Sequence, residues 1–462
     1  MQDAKALGSA AKPYNLSNST GEAEVQNTAN CYVISAPGHY MIPLVYGNAI
    51  KDNNANYVAY QFSGSAGYIN VNGQQKENIL PKLVDHDGKG INNPWIEKTN
   101  GKANNGINGA QIVWSDEANL VNLDSNHPIY RDSNGNAFVK FEVTKANIKS
   151  GNAVIAVKKG NTIVWSWHLW FAPKNALDKI PVTNKQNKVY NFTSEALGWK
   201  PTKWTGTSYS TPRTVKVKVE QTIANNGIKQ VSVFTITQNA GITERTGTTT
   251  LYQWGRKDAF PGTDANINGH FNKNAGDQIY MQNIIQNPGN FYTVGFTNNG
   301  VLNPNSGLVK YYYFYNLWSI NNNKSVEQNQ LNNVSVVKTI YDPCPIGFNV
   351  PANDAFTGFT SNGANKGPKM VDGTEVAATY NSQTGHIFWT NSEKKATIYF
   401  PATGYRENGN GNIVDLNVSA NYWTAIPQDL NNGRCFAFSQ ADVYPLHSSA
   451  RTFGLGVRPV SE

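Results

Sequence analysis

Few residues in this 462-residue chain have the type and spacing that catalysis needs. The seven histidines, His39, His86, His127, His168, His270, His386 and His447, include no i, i+4 pair. The three cysteines, Cys31, Cys344 and Cys435, form no CxxC and no Cys/His pair at zinc spacing. HExxH, Walker A, GxSxG and kinase motifs are missing. Asp85-His-Asp87-Gly88 opens like a calcium loop. Its glycine comes too early, and Ile96 stands where a bidentate Glu is needed. Gly409-Asn-Gly411 has no βαβ pattern around it and is not a dinucleotide fingerprint. Paired carboxylates for glycoside cleavage need no local motif, and the 31 acidic residues single out no such pair. No catalytic, metal or cofactor residue is therefore assigned.

What remains is binding chemistry. An aromatic ring offers a pyranose a flat apolar surface to stack on, and Arg, Asn and Asp bond its hydroxyls. Tyr405, Arg406, Asn421 and Trp423 are the candidate ligand-binding residues, because they flank a polar segment, 407–420, expected to be an exposed loop. The competing view is that such rings are core, with Arg256, Arg406, Arg451 and Arg458 bonding buried loop carbonyls.

The elements that must position these residues follow from composition. Aromatics are 11% of the chain, charged residues only 15%, and there are 40 glycines. That mixture favours strands joined by Gly/Asn turns over long helices. Asn30–Ser35 and His39–Tyr46, either side of Pro37-Gly38, read as a hairpin. Ala137–Val143 alternates, and Gly151–Val157 with Thr162–Phe171 reads as a second hairpin. In Thr162–Phe171, Ile163, Trp165, Trp167, Leu169 and Phe171 share one face. Val164, Ser166, His168 and Trp170 share the other. Both faces are apolar, so this is the central strand of a sandwich, and His168 is expected as a satisfied core residue. Thr214–Glu220 and Gln230–Thr237 form a hairpin with Val215, Val217 and Val219 on a buried face and Lys216 and Lys218 in solvent. Short helices are expected at 277–286 and 352–357, the latter capped by Asn or Asp. Tyr311–Trp318 is an aromatic cluster. Tyr341-Asp-Pro-Cys-Pro-Ile-Gly-Phe-Asn-Val-Pro351, with three prolines and a glycine, suits neither helix nor central strand. It reads as a rigid wall.

The expected organisation is a flexible leader (1–25), a β-sandwich (26–183), a second β unit (184–250) and a final unit (251–462). The formal charge of +8 comes from scattered Lys and Arg with no basic run between aromatics, which argues against nucleic-acid binding. No run of 18 apolar residues is present, so no membrane span is expected. Cys344 and Cys435 suit either one disulfide in an oxidising compartment or buried free thiols. The polar start has no signal-peptide core. Together with the low charge and many Asn, Thr, Gly and Tyr, this favours an exported mature form.

Four segments, in this order, resemble the Fibrobacter succinogenes major paralogous domain. They are Asp342–Pro351, Phe400-Pro-Ala-Thr-Gly-Tyr-Arg406, Tyr422-Trp423 and Gly456-Val-Arg-Pro-Val460. Asn30–Gly38 with Tyr46-Gly-Asn48, and Trp165-Ser-Trp-His-Leu-Trp170, resemble the β-sandwich of Bacteroides fimbrillin-family proteins, and Trp254–Asp258 resembles the join between the two. The resemblance implies a mainly β chain: N-terminal β-sandwich units followed by an α+β C-type-lectin-like domain. It also implies a secreted cell-surface adhesion protein, a fimbrial tip or minor subunit. Such a protein joins other pilus subunits by strand donation, binds a glycan or host protein, and has its own C-terminus spent on closing the last domain. Tyr422-Trp-Thr-Ala425 stands where calcium-dependent lectins carry Trp-Asn-Asp, which argues against calcium-assisted sugar binding. The alternative that the resemblance leaves is a carbohydrate-processing or oxidase-like surface enzyme on the sulfatase-modifying fold, whose chemistry would need a pair of active-site cysteines.

Overall fold

The computed structural model describes residues 1–61, 68–71, 74–77, 83–124, 126–205, 213–238, 244–277, 279, 281–293, 316–322, 326, 330–332, 334–372, 385–429 and 432–462. The protein is mainly β, with 41% strand and 6% helix. No described helix is long and apolar enough to cross a membrane.

Two sheets form the first sandwich. One runs Tyr14–Asn15, Gly38–Pro43, Ala137–Val143, Ile129–Arg131, with Asn122–Leu123 also paired to Ala137–Val143. The other runs Cys31–Ile34, Thr162–Phe171, Gly151–Lys159, Gly109–Ser115, Asn268–Gly269. Tyr40, Ile42, Val139 and Phe141 from the first meet Tyr32, Ile155, Trp167 and Leu169 from the second in one core. The hairpin expected across Pro37-Gly38 is not formed. Cys31–Ile34 pairs parallel with Thr162–Phe171, whereas Gly38–Pro43 crosses to the opposite sheet. The physical reason is that both strands carry apolar residues for one core, and placing them on facing sheets buries both sets.

Thr162–Phe171 is central, as its two apolar faces require. Trp165, Trp167, Leu169 and Phe171 lie in the sandwich core, and Trp170 lies in a second core on the other side. The pattern slips at one point. A register shift between Val157 and Lys158 puts Val164 in the first core and Ile163 against the second, the reverse of strict alternation. A bulge of this kind moves neighbours across the sheet. His168 is fully buried and satisfied: Nε2 lies 3.0 Å from Asn152 Oδ1 and Nδ1 3.1 Å from the Tyr252 hydroxyl.

The second core is shared. Trp114, Val154 and Trp170 from the sandwich pack with Trp254, Trp318, Cys344, Val350, Trp423 and Leu455. The far wall is a seven-stranded sheet: Tyr252–Gln253, Gly454–Leu455, Thr403–Arg406, Ser419–Pro427, Asn432–Ser439 and Val443–Ala450, with Ile413–Leu416 paired to Thr403–Arg406. Its other face, with Tyr422, Ile426, Phe436 and Phe438, belongs to a third core built on Phe356, Phe359 and Phe400. Sheets also cross the expected boundaries. Lys179–Thr183 and Val189–Thr193 continue into Val460–Ser461 and Phe348–Asn349, and Asn268–Gly269 extends the sandwich. Residues 1–25, expected as a flexible leader, are held instead: Tyr14–Asn15 pairs with Tyr40–Met41, and the Leu7 and His39 main chains bond at 2.9 Å.

The expected helices are shorter or tighter. Met281–Gln286 is α-helical, and Asn353–Phe359 is a 3-10 helix whose N-cap, Ala352, makes no side-chain cap bond. In the Tyr311–Trp318 cluster only 316–318 are described, and Trp318 is core. The wall at 341–351 is observed. Lys338 Nζ donates to the carbonyls of Cys344 (3.0 Å), Pro345 (2.8 Å) and Phe348 (2.7 Å). The Asp342 carboxylate accepts the Cys344 and Val350 amides at 2.8 and 3.0 Å. Asn30 Nδ2, from the sandwich, donates to Ile340 O and Asp342 O.

Burial holds the His168 imidazole neutral, with its pKa pushed down to about 3. The unfolded chain takes up this proton near the ordinary histidine value of ~6.5, while the fold does not. Stability from this group is complete above pH ~6.5 and is lost as the pH falls toward 3, by roughly 1.4 kcal/mol per pH unit. Urea titrations between pH 7 and 4 are expected to show at least that slope, because burial also holds the His386 imidazole down to about 4, and His168→Gln is expected to make it shallower while lowering the plateau.

Candidate functional site

The four candidate ligand residues lie on neighbouring strands of the seven-stranded sheet but do not converge on one surface. Trp423 is fully buried, with Nε1 donating to Tyr252 O at 2.7 Å. A ring inside a shared core cannot stack on a sugar, so its assignment as an exposed ligand residue is corrected. Arg406 is also fully buried. Its guanidinium donates to the carbonyls of Pro261 (2.9 Å), Gly411 (2.6 Å) and Thr263 (3.2 Å), pairs with Asp264 Oδ1 at 2.8 Å and covers the Phe271 ring. Tyr405 is half-buried and edge-on to Phe453. Asn421 is half-buried, paired across the sheet with Ala437, and its carbonyl accepts the Gly456 amide. The segment expected as an open loop contains the Ile413–Leu416 strand.

Arginine instead acts as an internal staple, as the competing view held. Arg458 donates to the carbonyls of Thr193 (2.9 Å), Tyr399 (3.0 Å) and Ser194 (2.6 Å). Arg434 grips Val326 O, Arg451 reaches Asp429 O, and Arg256 bonds Asn290 O beside Asp258. Loops carry carbonyls that no ladder satisfies, and a guanidinium supplies five donors at once.

Reactive side chains are likewise internal. Cys31, Cys344 and Cys435 are free, buried thiols in one core, so the disulfide considered for Cys344 and Cys435 is not formed. Burial pushes all three thiols up, Cys435 to about 12, and so away from the nucleophilic thiolate. Lys257 is buried over the Trp165 ring between Ser166 and Asp258, and burial pulls its amine down. Among the described residues no three His, Cys, Asp or Glu cluster as metal ligands. In the calcium-like segment Asp85 is spent on its own turn and on Asn100 and Asn104.

The accessible polar chemistry lies elsewhere, on the outer sheet of the sandwich. Alternation in Ala137–Val143 sends Val139, Phe141 and Val143 inward and leaves Lys140 and Glu142 outside. Glu142 stands opposite His39 on one neighbour and Asn122 on the other. His39 Nε2 is 3.8 Å from Glu142 Oε1, and Asn122 Nδ2 donates to Glu142 Oε2 at 3.0 Å. Both His39 and Glu142 side chains are 37% exposed, within reach of a ligand. Asp124 closes one end; the Asn126 and His127 amides bond its carboxylate and hold it below the usual range. Ala10 and Pro13, from the docked N-terminal segment, form the opposite wall of a groove of about 360 Å³. The arrangement offers a cation, two carboxylates, an amide and an imidazole over a short span. That is a hydrogen-bonding surface for a hydroxyl-rich or peptide ligand.

Sequence reasoning missed this groove. The outward phase of Lys140 and Glu142 was legible, but the partners at 39 and 122–124 arrive through long-range pairing. A second groove of about 270 Å³ lies between Lys188–Asn191, Asn349 and Val460–Glu462. Against known protein families, curated proteins and solved structures, the chain has no match.

Trp423→Ala is expected to remove a packed ring and an indole bond together, costing about 3–5 kcal/mol of stability. Urea unfolding checks this. A variant as stable as the parent would return Trp423 to the surface.

Proposed function

We propose that this is a secreted cell-surface adhesion protein, a fimbrial tip or minor subunit, that binds a glycan or a host protein without turning it over. The observation that carries this reading is the separation of chemistry by depth. Thiols, the Lys257 amine and the cationic staples are buried, while the reachable polar groups, His39, Asn122, Asp124, Lys140 and Glu142, line an open groove. Binding needs such a groove. The oxidase-like alternative would draw on Cys344 and Cys435, whose thiols burial holds protonated.

The family part of the proposal rests on the ordered motifs at 342–351, 400–406, 422–423 and 456–460, and on the paired motifs of the sandwich. The wall, the buried Arg406 and Arg458 and the paired Tyr422-Trp423 are what such motifs do as scaffold. Moving the contact site from the C-terminal sheet to the outer sheet of the sandwich follows from the burial of Trp423 and Arg406. Attachment to other pilus subunits by strand donation is kept as part of the proposal.

The test uses the full chain, because strands from 268–269, 348–349 and 460–461 are shared between units. On a glycan array and on host extracellular-matrix proteins, the parent is expected to bind. Lys140→Ala with Glu142→Ala is expected to weaken binding about tenfold or more, or roughly 1.4 kcal/mol. Both side chains are at the surface, so the melting temperature should not move. Equal binding by the double variant, or no binding to any of these ligands, overturns the assignment of the groove.

A further inference from the structure

The second groove holds a polar side chain that the fold does not use. Asn349 lines it, is only 6% exposed, and has its Oδ1 buried without a hydrogen-bond partner. Folded proteins keep few such groups, because an unpaired buried amide has given up water for nothing. Tyr60 Oη and Trp167 Nε1 are also buried without a partner, but they line neither groove. Asn349 alone of these three stands where a ligand can reach it. An amide carries donors at one end and an acceptor at the other, and a half-turn about the Cβ–Cγ bond exchanges them.

The strand register places the neighbours. Phe192 pairs with Val460, and Val460 with Asn349, so these side chains share one face of the four-stranded sheet. Alternation puts Tyr190 on that face too. Lys188 lays its Nζ over the Tyr190 ring, 4.6 Å from the centroid. Among the described residues this ammonium has no carboxylate partner. Asp354, beneath the ring, is spent on the Tyr190 hydroxyl (2.6 Å) and the Asn184 amide (3.1 Å). Glu462, at the rim, is paired with Lys51. Val336, Ala352 and Val460 supply apolar wall between the charged and amide ends.

Each part selects a ligand feature. The unmatched ammonium favours an anion. The amide suits a hydroxyl, which both donates and accepts, and its oxygen end repels a bare anion. The apolar wall takes C–H groups. An inorganic anion has no C–H face, and a simple carboxylate has no hydroxyls. An acidic sugar has all three. At about 270 Å³ the groove lies just below the roughly 300–1,000 Å³ of sites for drug-sized ligands, which limits it to one ring. We propose that this groove is a second ligand site, which takes a single acidic pyranose unit. Lys188 Nζ pairs with the anionic group of the sugar, and the Asn349 amide bonds a ring hydroxyl. The site does not rest on the reading of the groove of His39 and Glu142, which lies on another sheet.

The full chain is titrated with glucuronic acid, glucose 6-sulfate, glucose and acetate, by calorimetry and ligand-observed NMR. At least one acidic sugar is expected to bind about fivefold or more tightly than glucose or acetate, by the charge on Lys188 and the bond to Asn349. Which of the two binds distinguishes a carboxylate from a sulfate. Lys188→Gln is expected to bring the acidic sugar down to the level of glucose without moving the melting temperature. Asn349→Leu is expected to weaken sugar binding about tenfold, while the melting temperature holds or rises, because the amide has no bond to lose. An amide kept for the fold would lower it instead. No binding of either acidic sugar, equal affinity for glucose, acetate binding as tightly as the acidic sugars, or binding unchanged by Lys188→Gln overturns the proposal. If Asn349→Leu does not fold, Lys188→Gln decides.

Discussion

A single ammonium group anchors the turn on which the three cores depend. Lys338 is buried and spends its three N–H bonds on the carbonyls of Cys344, Pro345 and Phe348. Prolines 343, 345 and 351 deny the segment the amides for a ladder of its own. A turn with that many carbonyls and so few donors needs a donor brought from outside. Asp342 performs the complementary task, taking the Cys344 and Val350 amides; burial pushes its carboxyl up and Lys338, 3.9 Å away, pulls it back. Around this exchange Tyr341 faces the sandwich core, Cys344 and Val350 the shared core, and Ala352 the aromatic core.

The middle core explains why the chain does not divide as its composition suggests. Trp114 and Trp170 reach it from the sandwich, and Trp254, Trp318 and Trp423 from the C-terminal half. Each indole also donates to a backbone oxygen: Trp114 to Ala259, Trp170 to Trp199, Trp254 to Thr424, Trp318 to Arg256 and Trp423 to Tyr252. These bonds fix ring orientation as well as satisfying a buried donor. Removing one half would expose a wall of tryptophans on the other.

Local pattern carried the sequence-based view as far as it could. The two-faced strand at 162–171, the satisfied His168, the rigid wall at 341–351 and the arginine staples were all legible, because each follows from alternation, proline content or donor arithmetic within a short window. What failed depended on partners far away in sequence. Pro37-Gly38 looks the same in a hairpin and in a crossing between sheets. The polar 1–25 segment finds its partner in Gly38–Pro43, and the groove of His39 and Glu142 exists only once 10–13, 39, 122–124 and 140–142 meet. Trp423 was misjudged because a polar neighbouring segment says little about the other side of a strand. The Val face of the 213–238 hairpin, expected to be buried but with Val215 61% and Val219 54% exposed, shows the reverse error: alternation identifies the strand but not what covers it.

The last strand, Val460–Ser461, lies inside a sheet, with Phe192 opposite on one side and Asn349 on the other. Glu462 then ion-pairs with Lys51 and stands 3.9 Å from Lys338. Arg458, just before it, is tied to three carbonyls. Mechanically this is a wedge. Tension applied along this strand loads two ladders and the Lys338 turn together, so the segment yields by rupture of the whole seam and not by peeling from an edge.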